Sequence, residues 1–164
     1  MNAAIEQLRE EIRQAFPPSV FEGPATDCKC EECAEISNTL AHKRWDEVPH
    51  SFLDFTCSPT LFTPQAFAAF LPAYLLRALD DLEGSTVVLE FTTYSLSPYD
   101  SDGDVEQQKR NIERLLMRAR VMTAAQISAV RDFLRFVSLN AKDADWFQPF
   151  VQTALDEGWR PSEE

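Results

Sequence analysis

Thr63-Pro64-Gln65-Ala66-Phe67-Ala68-Ala69-Phe70-Leu71-Pro72-Ala73-Tyr74-Leu75-Leu76-Arg77-Ala78-Leu79 is the stretch on which the fold turns. Threonine suits a helix N-cap, where its hydroxyl accepts an orphan amide, and proline suits the first helical position, where its missing N–H costs nothing. Phe67, Phe70, Leu71, Tyr74, Leu75, Ala78 and Leu79 then cover most of the helix circumference with apolar groups. A helix that is apolar nearly all round must sit in the middle of a domain. The pattern predicts a central helix over 64–82, bent or divided at Pro72, whose ring blocks a ladder hydrogen bond.

Towards the N-terminus, Ile5, Leu8, Ile12 and Phe16 form a helical stripe over residues 2–16 that Pro17-Pro18 ends. Residues 17–29 read as a loop. Asp27 is the expected cap of a helix from near Cys30 to about His42, with Cys33, Ile36 and Leu40 facing inward. Residues 46–59 carry mixed signals, with Val48, Phe52, Leu53 and Phe55 as core anchors.

Towards the C-terminus, 85–97 is rich in β-prone residues, yet Val87, Val88, Phe91 and Tyr94 keep helix spacing. A lone strand in this chain would leave its backbone groups unpaired, so helix is expected, with Ser85 as its cap. Residues 104–120 are strongly helical. Thr123-Ala124-Ala125-Gln126 fits a capping box ahead of Ile127, Val130, Phe133, Leu134 and Val137. Asp145 is the expected cap of a last helix carrying Phe147, Phe150, Val151 and Leu155 and ended by Gly158, with 160–164 a frayed tail. The sum is an all-α chain, a single domain over 1–164 of six to seven helices.

Composition narrows the function. A length of 164 residues with 45% apolar residues can bury a real core. Four glycines disfavour a turn-rich β-sandwich, and neither glycine-rich phosphate motif occurs. A net charge of −12 repels nucleic acid and anionic lipid and favours a basic protein partner. The longest apolar run, 66–76, is broken by Pro72 and too short for a bilayer, and the first residues lack a basic region followed by an apolar one. A cytoplasmic protein without membrane segments is expected.

The chemistry concentrates in Asp27-Cys28-Lys29-Cys30-Glu31-Glu32-Cys33. Cys30 and Cys33 have the C-x-x-C spacing of half a zinc site, and Cys28 offers a third thiolate. The fourth ligand would be Cys57, with His50 or His42 as the alternatives. Two other readings compete: unmetallated thiols, with Cys33 and Cys57 as small buried hydrophobes, and a redox pair. The redox pair lacks the βαβ setting of thioredoxin-like sites, and Asp27, Glu31 and Glu32 are expected to raise the thiol pKa values.

Two further motifs weigh less. Asp100-Ser101-Asp102-Gly103-Asp104 opens like a calcium loop, but Val105 stands where glycine is needed and Asn111 where glutamate is needed, so helix capping is expected instead. Arg110, Arg114 and Arg118 recur every four residues; pairing with the chain's own acids, such as Glu106 and Glu113, or plain solvation is expected. Two histidines and no G-x-S-x-G motif leave no catalytic set, and no enzyme is expected.

Three segments together resemble a family of small uncharacterised bacterial proteins. They are Cys30-Glu31-Glu32-Cys33 with Trp45 following, Leu61–Phe67 leading into Phe70-Leu71-Pro72-Ala73-Tyr74-Leu75, and Thr123-Ala124-Ala125-Gln126-Ile127 leading into Val130 and Phe133-Leu134. The likeness covers about 20–155 and brings no catalytic residues with it. It is also similar to the small acidic partners of toxin–immunity systems. Residues and resemblance together lead to the expectation of an acidic protein-binding module, an immunity-type inhibitor of a basic partner or toxin. The alternative is a zinc-stabilised structural or regulatory helical domain.

Overall fold

A computed structural model describes residues 2–55 and 59–160, Asn2 by its backbone. Among the described residues there are eight α-helices: α1 (Asn2–Ala15), α2 (Glu31–Leu40), α3 (His50–Phe55), α4 (Pro64–Asp80), α5 (Val88–Ser95), α6 (Val105–Ala119), α7 (Ala124–Asn140) and α8 (Ala144–Thr153). Short 3₁₀ turns lie at Trp45–Glu47 and Pro59–Leu61, and a π-type turn at Ala154–Gly158. The chain is all-α, with no strand among these residues; the helix beyond the expected six or seven is the short α3, inside the segment of mixed signals.

The sequence of α4 plays out as its composition dictates. Thr63 Oγ1 accepts the Ala66 amide at 3.2 Å, and Phe67, Leu71 and Leu75 are wholly buried. The helix runs undivided through Pro72 and stops at Asp80, two residues short of the expected end. α1, α5 and α6 pack on it, and α7 closes against α1 and α8. The Thr123 capping box forms as predicted, with the Gln126 side chain accepting the Thr123 amide at 3.0 Å.

The β-prone stretch 86–96 is helix α5, and a carboxylate outside it explains why. Asp81, buried at the end of α4, accepts the Ser85 amide (2.8 Å), the Thr86 amide (2.8 Å) and the Thr86 hydroxyl (2.7 Å). This bracket fixes the chain direction before Val88, so Asp81 does the work expected of Ser85. Burial pushes the Asp81 carboxyl up, but the three donors outweigh it and hold it below the ordinary carboxylate range. Two other helix starts also moved: Cys30, not Asp27, caps α2, and Asp143, not Asp145, precedes α8.

The end of α5 is the junction of the molecule. The Ser95 carbonyl accepts Arg118 Nη1 at 3.0 Å, the Leu96 carbonyl accepts Trp159 Nε1 at 2.8 Å, and Ser97 Oγ donates to the Phe150 carbonyl at 2.7 Å. Arg118 Nη2 also donates to the carbonyls of Pro59 (3.3 Å) and Thr60 (2.9 Å), and its guanidinium lies 4.0 Å from the centre of the Phe67 ring. Arg118 is therefore no part of a solvated stripe; it is 1% exposed and lies in the core. Burial, and after it the charge of Arg114, pulls its pKa down to about 9, which leaves it charged at neutral pH. Next to it, Gly158 is obligatory: a Cβ there would stand 2.2 Å from Leu115 Cδ2, and Leu115 is itself buried.

Two measurements test these cores. R118A would remove the guanidinium donor shared by the Ser95, Pro59 and Thr60 carbonyls and leave a void over Phe67, so it should cost about 3–5 kcal/mol of unfolding free energy. R118K, which keeps the charge but cannot fork between segments, should fall between R118A and wild type. Denaturant titrations check this; a loss under about 1 kcal/mol in R118A, small on the scale of core substitutions, would show that the carbonyls find other donors. For Asp81, the folded carboxyl titrates below its unfolded value. Its stabilisation is thus complete above the unfolded pKa of about 3.9 and vanishes as pH falls through the lower folded value. The stability gap between wild type and D81A should be widest at neutral pH and close progressively below about pH 4, which equilibrium unfolding at stepped pH values reads directly.

Candidate metal centre

The loop before α2 is fastened before its cysteines arrive. Trp45 Nε1 donates to the Phe16 carbonyl at 2.9 Å, and Phe21 meets Phe70 edge-on at 5.7 Å. Thr63 Oγ1 donates to the Pro24 carbonyl at 2.9 Å, the Thr63 amide donates to the Ala25 carbonyl at 2.9 Å, and Thr26 forms an isolated bridge with Phe62. The cysteine segment therefore leaves a point anchored to the start of α4.

From there the chain turns on its own sulfurs. Cys28 Sγ accepts the Cys30 amide at 3.2 Å, and Cys30 Sγ accepts the Cys33 amide at 3.4 Å while capping α2. Cys33, one turn along, faces the core with Ile36 and Leu40, whereas Cys28 and Cys30 face solvent. The three Sγ atoms lie within 4.8 Å of one another.

The sulfurs hold their protons unequally. The Cys28 thiol, then the Cys33 amide and thiol, hydrogen-bond to Cys30 and lower its pKa, outweighing burial and Glu32. A position at a helix N-terminus favours a thiolate in the same sense. The expected acidic suppression thus does not carry at Cys30. Burial, followed by the hydrogen bond with Cys30, raises Cys33 to about 11.

The donor set fits a soft cation. Zinc–thiolate bonds of about 2.3 Å put tetrahedral sulfurs about 3.8 Å apart, so the cluster needs a contraction of at most about 1 Å. Amide donors to sulfur also act as the outer-shell support that orients such ligands. Among the described residues neither histidine joins the three sulfurs. His42 follows the far end of α2 in a left-handed conformation (φ 57°), with Nδ1 3.5 Å from Glu22 Oε2. Seven residues of α2, 34–40, separate it from Cys33, a rise of about 10 Å. His50 opens α3 and lines a separate cavity with Trp45, Arg77 and Asp80. Cys57, the remaining expected ligand, lies outside the described residues. Cys28, Cys30 and Cys33 could hold a metal ion through three thiolates, with the solvent side of the cluster left for a fourth ligand.

A family model matches residues 7–163. The chain belongs to DUF6714, a family of unknown function. Neither a curated protein nor a solved structure matches it. The DUF6714 match runs from α1 to beyond Trp159, so the cysteine segment and the helical core belong to one family unit.

The remaining motifs of this DUF6714 protein resolve into local structure. Asp100 accepts the amides of Asp102 (3.5 Å) and Asp104 (2.7 Å), and Asp104 caps α6 by accepting the amides of Glu106 and Gln107 at 3.0 Å. The calcium-like carboxylates thus serve the backbone. Arg110 donates to Gln107 and Arg114 to Asn111, so only Lys109–Glu106 follows the expected acid pairing on this helix. The residues that sequence reasoning passed over are Arg118, hidden by its i+4 spacing, and Trp146, whose aromatic neighbours read only as core.

The thiol geometry predicts an order of reactivity. In chelator-treated protein at neutral pH, brief iodoacetamide treatment and peptide mapping should find Cys30 alkylated before Cys33, with a rate ratio of at least about 10, because the thiolate is the nucleophile. Equal rates would contradict both the burial of Cys33 and the lowered pKa of Cys30.

Proposed function

We propose that this protein is a non-catalytic, acidic binding module whose N-terminal loop is clipped to its helical core by zinc held at Cys28, Cys30 and Cys33. The convergence of those three sulfurs at the start of α2 carries the metal part of the proposal. Cys33 is in the core and Cys28 is at the end of the loop fastened to Thr63 and Phe62, so an ion joining them would lock the loop against α2. That is a structural role, and no reaction is assigned to the ion. The alternative expectation, a zinc-stabilised helical domain, is in this way part of one reading rather than its rival.

The partner part rests on charge. A surface at −12 steers towards a cationic protein and raises association rate and selectivity more than raw affinity. An inhibitor of a basic toxin, acting in the cytoplasm, is the form of this reading that the sequence expectation named. No helix among the described residues is long and apolar enough to cross a membrane.

Elemental analysis of protein purified without chelator should find about one zinc per chain, and C30S and C33S should each reduce it well below half an equivalent, since structural zinc sites bind tightly. Cobalt(II) added to the metal-free protein should give a thiolate-to-cobalt charge-transfer band that both variants lose. Metal-free protein should melt several degrees lower, by the linkage between binding and folding. Full zinc content in the C30S/C33S double variant would remove the clip from the proposal.

A further inference from the structure

Four aromatic side chains from three segments meet beside α5. Tyr94 comes from α5, Tyr99 from the loop after it, and Trp146 and Phe150 from α8. Trp146 lies 5.5 Å from Tyr94 and 5.2 Å from Phe150, and Phe150 lies 4.7 Å from Tyr99, centre to centre. The planes cross at 37–71°, so the rings form walls rather than a stack. They line a cavity of about 570 Å³, and Trp146, 47% exposed, also lines a second cavity of about 350 Å³.

A core cluster would close such rings off. Here carboxylates line the openings instead: Asp100 and Asp145 at the larger cavity, Glu90 and Asp143 at the smaller. Among the described residues no lysine or arginine lines either cavity. Asp143 and Asp145 also form no ion pair among the described residues, the pairs lying elsewhere. Burial, with Glu90 second, raises the Tyr94 phenol above its ordinary range, so this wall stays neutral and presents its ring without added charge.

Open aromatic faces attract cations through the ring quadrupole, and nearby carboxylates add charge. Anions are repelled, and a neutral apolar ligand would leave the carboxylates poorly solvated with nothing in return. We infer that the cleft made of the two cavities that share Trp146 is the docking site for a lysine- or arginine-rich segment of a protein partner, with a cationic side chain in each. Two chambers sharing one wall suit side chains of one segment, and charge complementarity selects the basic class. This inference rests on the basic-partner reading of the function and narrows it to one surface formed by α5, α8 and the Tyr99 loop.

The test is a titration of the intact protein with capped tetralysine at low salt, read by calorimetry and by tryptophan fluorescence. Wild type should bind with one dominant site, weakening as salt rises. W146A should weaken binding at least tenfold, and D143N/D145N, which leaves the apolar packing in place and touches one carboxylate of each cavity, should do so as well. E10Q/E11Q, on α1 and outside both cavities, should leave it within twofold. Binding unchanged in W146A and in D143N/D145N, or lost equally in E10Q/E11Q, would overturn the cleft while leaving a diffuse acidic partner surface standing. No binding to wild type even at low salt would overturn the basic-partner reading itself, and the cleft with it. Spermine, with the same charge and no backbone, should bind more weakly; tighter binding of spermine would overturn the assignment to a protein segment.

Discussion

A charged guanidinium removed from water is the constraint that orders the rest of this molecule. Arg118 lies in the core, and its described partners are carbonyls, not carboxylates. An isolated buried charge would be very costly, so the carbonyls must converge on it. They come from the end of α5, where the helix dipole places partial negative charge, and from the turn that leads into α4. Phe67 of α4 supplies its ring face. One residue of α6 thereby fixes α4, α5 and their connections, and only the planar fork of arginine reaches segments on both sides.

The consequence spreads along three consecutive residues. Ser95, Leu96 and Ser97 bind α6, the C-terminal turn and α8 respectively. Because Trp159 is held at Leu96, the π-type turn must press onto α6, and Gly158 is the residue that allows the approach to Leu115. Because Ser97 is held at Phe150, α8 presents Trp146 beside Tyr94, which is how a buried polar seam comes to set the walls of an exposed cleft. At the same end of α4, Thr63 does a similar double duty, accepting from Ala66 and donating to Pro24, so the helix start and the cysteine loop are positioned by one hydroxyl.

What the sequence made legible and what it hid follow from the range of the interactions. Thr63, Pro64, Thr123 and Gln126 act within one helical turn, and their helix starts could be read directly. The apolar girth of α4 predicted its burial for the same local reason. Asp81 acts across a loop on Ser85 and Thr86, so the cap of α5 was placed on Ser85, the nearest polar residue. The three cysteines were legible as a group because they are close in sequence; that Cys30 caps α2 and has a lowered pKa required the fold of the turn, since the acidic neighbours argued the other way. Arg118 was the deepest miss. Its spacing with Arg110 and Arg114 describes a helix face, but Val105, Leu116, Met117 and Val121 are exposed on α6 and its C-terminal flank while Arg118 is not. Residue type pointed outward, and long-range partners turned it inward.

The same distinction applies to the net charge, which says little until it is known which carboxylates are already engaged. Asp54 takes the fork of Arg77 at 2.7 and 2.8 Å, Asp81 and Asp104 take backbone amides, and Asp132 takes Arg135. Those acids are internally compensated, and a partner gains little by approaching them, since it would have to displace bonds already made. The acids around Trp146 differ in kind: Asp143 heads α8 without a side-chain cap bond, and Asp145 sits in its first turn. Asp143 lines the cavity that holds Trp146 and Phe147, and Asp145 the one that holds Tyr94, Tyr99, Trp146 and Phe150. Uncompensated charge beside a partly desolvated ring is worth more to an incoming cation than the same charge on an open helix, because the field there is less screened. The electrostatic character of this protein is therefore best located by subtracting the carboxylates already bonded, and what remains includes Asp143 and Asp145, on the walls of the two cavities that share a tryptophan the core did not cover.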